Sequence, residues 1–454
     1  MLTARLAARE AEGKPVRVGV IGAGRFGTMV ISQLAAVRGM RPSVVADLSG
    51  ERGMRALAHA GIPAERVVRA GEVTGINAAI ARSAPVLTED AQALCRSDVD
   101  VVVEATGIPE VAATSALEGI RHGKHIVMVT VEVDVLVGSV LRGAADRAGV
   151  VYTAAFGDQP ALVVDLYDWA TALGFEVVAA GKGTKYLPAY RKAAPDGVWD
   201  RLGIGPGERD GLNPKMYNSF VDGTKSAIEM TAVCNMTGLR PDCRGMHFPP
   251  AGIQSLPEIL KPRSDGGVLE HTGVVEVVSS IDRDGRPIAD DLRWGVYVVI
   301  TSPRPYLRRC FAEYGLPVDR TGTYAAFYRP YHLVGMELPV SIARAALDHE
   351  ATGAPLPVPV AAVVCAAKRP LVPGDVLDGE GGATVYGLID EAETARRERF
   401  LPIGLSHGAR IVRPVPEDGL VTLDDVSLET SRTLYALWGE QQGLLISARD
   451  KSSR

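Results

Sequence analysis

The stretch Val16-Arg17-Val18-Gly19-Val20-Ile21 runs without a break into Gly22-Ala23-Gly24-Arg25-Phe26-Gly27. A short β-branched, mostly apolar run of this kind forms a strand buried on both faces of a parallel sheet. Met29, Val30, Leu34, Ala35 and Val37 then place apolar groups on one helical face, and Pro42 precedes the next strand-like run, Val44-Val45-Ala46-Asp47. The unit reads strand, glycine turn, helix, strand, which is the Rossmann arrangement for a dinucleotide. Gly22 allows the tight turn, Gly24 lets backbone N–H groups reach a pyrophosphate, and Gly27 lets the helix approach the strand. Arg25 and Phe26 fall inside the same turn and are expected to contact the cofactor. Asp47, 20 residues after Gly27, is placed to accept hydrogen bonds from an adenosine ribose. Its charge favours NAD, whereas Arg52 a turn later accommodates NADP, and the choice between the two stays open.

The alternation continues. Asp100 to Gly107 reads as a second buried strand that ends in a small-residue loop, so Ala105, Thr106 and Gly107, with Glu104 before them, are candidate cofactor contacts. A helix over Val111 to His122, a strand over His125 to Thr130, a helix over Leu136 to Ala148 and a strand over Val150 to Ala154 follow. Together they make a doubly wound α/β domain. Glu132 and Asp134 lie at a strand end, where they face the nicotinamide or cap the next helix.

Composition narrows the partners. With 49 Lys+Arg against 54 Asp+Glu and no long charged block, the chain has nothing to grip a nucleic-acid backbone. Its longest apolar runs, such as Val99 to Ala105 with Asp100 and Glu104 inside, fall short of the roughly 20 residues a membrane helix needs. Met1 to Lys14 lacks an unbroken apolar segment, so the chain reads as cytoplasmic rather than secreted. Five scattered cysteines and eight scattered histidines form no CxxC or HExxH pattern. A small-molecule substrate is what remains.

From Phe156 onward the pattern changes. Asp158 and Gln159 precede an amphipathic helix over Leu162 to Leu173, and a strand over Phe175 to Gly181 leads into Lys182 and Lys185. Two lysines after a strand end suit a phosphate or carboxylate, or the polarisation of a carbonyl. Asp222-Gly223-Thr224-Lys225-Ser226-Ala227-Ile228-Glu229 opens a further helix, capped by Asp222 or Thr224. Lys225 and Glu229, at i and i+4, share a face. They are either a surface ion pair or a proton-donating ammonium oriented by a carboxylate. Lys215, Ser226 and Asn235 are candidate substrate contacts. The aromatic run from Arg320 to His332 suits a strand of an open antiparallel sheet, with Arg329 and His332 as anion or hydroxyl contacts. A helix is expected over His332 to His349.

The succession GAGRFG, EATG, GDQPAL, the Lys182 loop, DGTKSAIEM and YRPYHLVGMELP resembles the homoserine-dehydrogenase-like oxidoreductases. Within them it is similar to the branch with a C-terminal SAF domain, typified by 1-deoxy-D-xylulose 5-phosphate reductoisomerase-like enzymes. Val363 to Leu377, Leu401 to Leu405 and Leu423 to Val426 look like the short strands and Pro-Gly turns of an SAF β-clip. The resemblance implies an N-terminal tail (1–14), a nucleotide domain (15–155), an α+β substrate and dimerisation domain with an open sheet (156–350), a small SAF-like β domain (351–430) and a C-terminal tail (431–454). It further implies a homodimer or higher homo-oligomer. Rearrangement of an α-hydroxy ketone followed by reduction requires charge stabilisation at two oxygens and a phosphate site. Lys182, Lys185 and Lys225, or a divalent cation held by carboxylates such as Asp158 and Glu229, would supply these. Plain hydride transfer of the homoserine dehydrogenase type is the alternative, although those enzymes carry an Asn-Lys pair where this chain has Val131-Glu132. A dinucleotide-binding sensor with the SAF module as its output is a third reading.

Overall fold

A computed structural model describes every residue except Asp210, Ser453 and Arg454. The chain gathers into two compact units, one of residues 1–161, 333–357 and 432–438, the other of 162–332, 358–431 and 439–454.

In the first unit seven strands form one sheet: β1 (Val16–Ile21), β2 (Met40–Ala46), β3 (Val68–Arg69), β4 (Val86–Thr88), β5 (Val101–Glu104), β6 (His125–Met128) and β7 (Tyr152–Ala154). Their order is β3-β4-β2-β1-β5-β6-β7 and every pairing is parallel, giving the doubly wound α/β domain expected. The valines of β1, β2 and β5 are fully buried, as strands covered on both faces require. They meet Val30, Ile31 and Leu34 of the helix Arg25–Ala36 in one core. Leu338, Ile342 and Ala343 join that core from late in the chain. The helix expected from His332 begins only at Pro339, runs to Ala343 and continues as a π turn to Asp348. Gly335 in a left-handed conformation (φ 80°) keeps the preceding residues out of the helix. The helix expected from Leu136 starts earlier, at Val131. Residues 1–14 and 431–454 carry helices of their own, Leu2–Ala11 and Thr433–Ser452.

The second unit is built on β8 (Glu176–Thr184), β9 (Arg240–Pro241), β10 (Val274–Ser279), β11 (Val296–Thr301) and β12 (Ala325–Arg329), in the order β12-β11-β8-β10-β9. The sheet is mixed rather than wholly antiparallel. β10 runs parallel to β8 and β9, while β11 is antiparallel to β8 and β12. Gly181 is obligatory in β8, since a Cβ there would lie 1.8 Å from the Glu276 carbonyl oxygen of the neighbouring strand.

The helix Thr224–Thr237 packs on β10 and on an antiparallel pair formed by β13 (Ala361–Ala367) and β14 (Val385–Glu391). Buried polar groups fix that packing. Asn235 Oδ1 accepts the N–H groups of Val360 and Ala361 at 2.8 and 2.9 Å. Thr224 Oγ1 accepts the Gly387 N–H at 2.8 Å. The buried Lys368 ammonium donates to Asp222 Oδ2 at 2.7 Å and to the carbonyls of Ala193 and Gly382. Lys261 and Asp319 form another buried pair at 3.1 Å. No helix among the described residues is long and apolar enough to cross a membrane.

Candidate active site

In the first unit the three glycines of the opening motif do what their spacing implies. Gly22 takes φ 96°, and a Cβ on Gly27 would fall 1.9 Å from the Gly22 carbonyl oxygen, so only glycine lets the helix start this close to β1. Gly24 has open space where a side chain would be. It caps the helix Arg25–Ala36, which has no side-chain cap, so backbone N–H groups at the positive end of the helix remain to meet a pyrophosphate. Arg25 and Phe26 occupy its first turn.

Asp47 follows β2 with its carboxylate almost buried. The Ala23 N–H donates to Oδ2 and the Ser49 N–H to Oδ1, both at 2.8 Å. Arg52 Nε lies 3.6 Å from Oδ1. The acid is thereby clamped to the glycine turn, with the guanidinium beside it.

The loop after β5 is held from below. The Thr106 N–H and hydroxyl both donate to Glu104 Oε1, at 3.0 and 2.5 Å, and burial pushes the Glu104 carboxyl upward. Gly107, at φ 68° and open where a side chain would project, donates to Thr130 Oγ1 at 3.0 Å. Ala105 donates its N–H to Ile21. Ala105, Thr106 and Gly107 therefore share the carboxyl end of the central strands with the glycine turn. Glu132 stands in the first turn of Val131–Ala148. Asp134, in the same turn, is fully buried and accepts the Tyr152 hydroxyl at 3.0 Å. It does not cap the helix, whose N-cap is Thr130 with no side-chain cap hydrogen bond. Asp158 and Gln159 open the helix Gln159–Ala172, where the Gln159 N–H donates to Asp158 Oδ1 at 2.9 Å.

In the second unit Lys182, near the carboxyl end of β8, is buried and pairs with the equally buried Glu229 of the helix Thr224–Thr237. Lys225 stands one turn before Glu229 and is half-buried, and Ser226 is buried beside it. Gly223, not Asp222 or Thr224, is the N-cap. Asp222 Oδ1 accepts the Thr224 N–H at 2.9 Å while its other oxygen takes Lys368. Several other candidates point elsewhere. Lys185 donates to the Arg201 carbonyl at 3.0 Å and Lys215 to the Asp378 carbonyl at 2.8 Å. Asn235 holds the start of β13. Arg329 lies over the Tyr331 ring at 4.7 Å, and His332 Nδ1 is 2.7 Å from the Trp294 carbonyl. Lys182 and Glu229 are thus in contact, Lys225 and Ser226 lie about one turn earlier on the helix of Glu229, and the others are dispersed over the unit.

Comparison with known proteins agrees with this division. Residues 22–154 match the family model of the homoserine dehydrogenase NAD-binding domain. Residues 157–338 match that of the catalytic domain of oxidoreductase DRL. The chain is an NAD(P)-dependent oxidoreductase. No curated protein matches it. Among solved structures it is similar to UDP-N-acetylglucosamine 3-dehydrogenase from Acidithiobacillus ferrooxidans, at 13% identity and TM-score 0.38 over 74% of this chain and 89% of that one. It is similar also to scyllo-inositol dehydrogenase from Lactobacillus casei, at 11% identity and TM-score 0.35 over 64% and 74%.

A match to a catalytic domain removes the sensor reading of this oxidoreductase. The dinucleotide fits the chain, since the open Gly24, the uncapped helix and the clamped Asp47 are what such a ligand needs. A divalent cation does not fit. Among the described residues no His, Cys, Asp and Glu side chains gather as metal ligands, and Glu229 is already paired with Lys182. The sequence offered a weak sign of that pairing in a lysine beside a strand end and a glutamate on a helix. It offered none of which lysine the glutamate would take, because the two are 47 residues apart.

Proposed function

We propose that this oxidoreductase acts on a small phosphorylated hydroxy or oxo compound. The reaction is the conversion of 1-deoxy-D-xylulose 5-phosphate to 2-C-methyl-D-erythritol 4-phosphate by carbon-skeleton rearrangement and reduction. The observation that carries the reading is the buried Lys182–Glu229 pair with Lys225 one turn away. It is a cation store in a site without metal-ligating carboxylates, able to hold negative charge at a carbonyl or alkoxide oxygen. The bound dinucleotide supplies the hydride. Lys182 gives a proton to the substrate oxygen as charge develops there, and Glu229 keeps the ammonium oriented. Lys225, with the first-turn N–H groups of its helix, receives the phosphate. The SAF-like strands β13 and β14 serve a structural role, holding that helix through Lys368, Thr224 and Asn235. The protein works as a homodimer or higher homo-oligomer in the cytoplasm.

Plain hydride transfer without rearrangement is a second reading, favoured by the match of residues 22–154 to a homoserine dehydrogenase domain. Purified protein incubated with NADH or NADPH and a panel of oxo acids, homoserine-type substrates and deoxyxylulose phosphate separates the two. The expected result is nicotinamide oxidation with deoxyxylulose phosphate and a branched product skeleton by NMR. Oxidation with an unrearranged skeleton sinks the isomerase step.

The clamped Asp47 sets the cofactor preference toward NAD, with Arg52 neutralised beside it. Asp47→Ala releases the guanidinium and removes a charge that repels a 2′-phosphate. NADPH affinity measured by fluorescence titration is expected to rise about tenfold relative to NADH, which corresponds to about 1.4 kcal/mol. An unchanged ratio would show that another group reads the ribose.

A further inference from the structure

A cluster that the proposed reaction does not use lies on the opposite face of the second unit's sheet. In the β8–β10 register Lys182 is level with Val277, and Gly181 with Glu276. Successive residues of a strand point to opposite faces, so Glu276 projects away from Lys182. Its buried carboxylate accepts the N–H groups of His247 and Phe248 at 3.0 to 3.2 Å. Oε2 also lies 2.7 Å from His247 Nδ1. Cys243 Sγ lies close to both ring nitrogens, 3.6 Å from Nε2 and 3.8 Å from Nδ1.

The turn that presents His247 is costly. Met246 and Phe248, which flank it, both have positive φ, 61° and 49°, a left-handed conformation that non-glycine residues adopt rarely. It is held by the Glu276 carboxylate, by Arg283, which donates to the His247 carbonyl at 3.1 Å, and by Phe248 stacked on Tyr186 at 4.0 Å. Backbone N–H groups on a carboxylate would suffice to anchor a loop. They do not require an imidazole in contact with both that carboxylate and a thiol. Asp242, whose oxygens accept the Glu270 and His271 N–H groups at 2.9 Å, adds negative charge 3.8 Å from His247 Nε2. The Cys243 sulfur and the Glu276 carboxylate together hold the imidazole protonated, with its pKa raised to about 10. Nearby Arg244 is engaged with Asp390 at 2.6 Å.

We propose that Cys243, His247 and Glu276 form a thiol site that is covalently modified by low-molecular-weight disulfides. The imidazole sets a cation within 4 Å of the sulfur, and thiolate is the form that attacks sulfur. The Cys243 sulfur bonds to one sulfur of the disulfide, the S–S bond breaks, and the leaving thiolate departs and takes a proton from solvent. The disulfide is the oxidant, and one protein mixed disulfide forms per thiol released. Excess free thiol reverses the reaction.

The probe is 4,4′-dithiodipyridine on the full chain, with thiopyridone release followed by absorbance and the modified cysteine identified by peptide mass spectrometry. Cys310, which is also partly exposed, serves as the internal reference, and Cys95, Cys234 and Cys365 are buried. At neutral pH Cys243 is expected to react at least about tenfold faster than Cys310. His247→Gln should bring it to the Cys310 rate. Glu276→Gln, which keeps an acceptor oxygen for the loop, should act in the same direction. A wild-type Cys243 that reacts no faster than Cys310, or one whose rate is unchanged by His247→Gln, overturns the proposal. The labelling needs neither substrate nor cofactor, so its outcome is independent of the reaction proposed above.

Discussion

Lys182→Met lowers turnover by about a hundred- to ten-thousand-fold, the span associated with losing a positioned proton donor, while dinucleotide affinity stays near the wild-type value. Methionine matches the length of the lysine stem but leaves the Glu229 carboxylate buried without the Lys182 ammonium. Breaking a buried pair from one side costs about 3–5 kcal/mol, so the single variant is also expected to melt early. The double variant Lys182→Met/Glu229→Gln separates the two effects. With neither charge to bury it should recover most of the stability and none of the turnover, read by denaturant midpoint and by steady-state kcat. If the double variant regains activity along with stability, Lys182 has only a structural role. Lys225→Ala is the comparison. Should that change abolish turnover while Lys182→Met spares it, the donor is Lys225.

The second large effect is on stability and lies in the nucleotide unit. Asp134 is buried with the Tyr152 hydroxyl on its carboxylate, and burial raises its pKa from 3.8 to about 7. An acid whose folded pKa is raised contributes stability that is fully present below its unfolded pKa, near 4, and is lost as pH rises through about 7. The whole contribution is about 4 kcal/mol, of which about 2.5 kcal/mol disappears between pH 5 and pH 8. Asp134→Asn keeps an acceptor for Tyr152 and has no proton to lose. Urea unfolding at pH 5 and pH 8 should show the wild type losing about 2.5 kcal/mol more than the variant across that interval. Equal losses in the two proteins would mean that Asp134 is ionised in the fold.

The nucleotide fold was legible because its signals are local. Val16 to Gly27 carries strand, turn and the start of the helix within twelve residues, and Gly27 is demanded by the Gly22 carbonyl five residues before it. The site of the second unit was legible only as a set of residue types. Lys225 and Glu229 are neighbours on one helix, and spacing alone makes them partners. The charge that Glu229 takes comes from Lys182, on a strand whose place beside that helix is set by tertiary packing. Asn235 and Lys215 look like substrate contacts in sequence because polar groups near a motif usually are. Their hydrogen bonds go instead to backbone 125 to 163 residues further along the chain. The Cys243–His247–Glu276 cluster spans 34 residues with no fixed spacing, and depends on two left-handed residues that no composition rule selects.

The two units dispose of buried charge in opposite ways. The first buries carboxyls beside hydroxyls, Glu104 with Thr106 and Asp134 with Tyr152, and burial favours their neutral forms. The second buries lysine–carboxylate pairs: Lys182 with Glu229, Lys368 with Asp222 and Lys261 with Asp319. The cost of stripping water from such ions falls on heating. The second unit is therefore the half whose internal ion pairs become cheaper to hold as temperature rises, while the nucleotide unit answers instead to acidity.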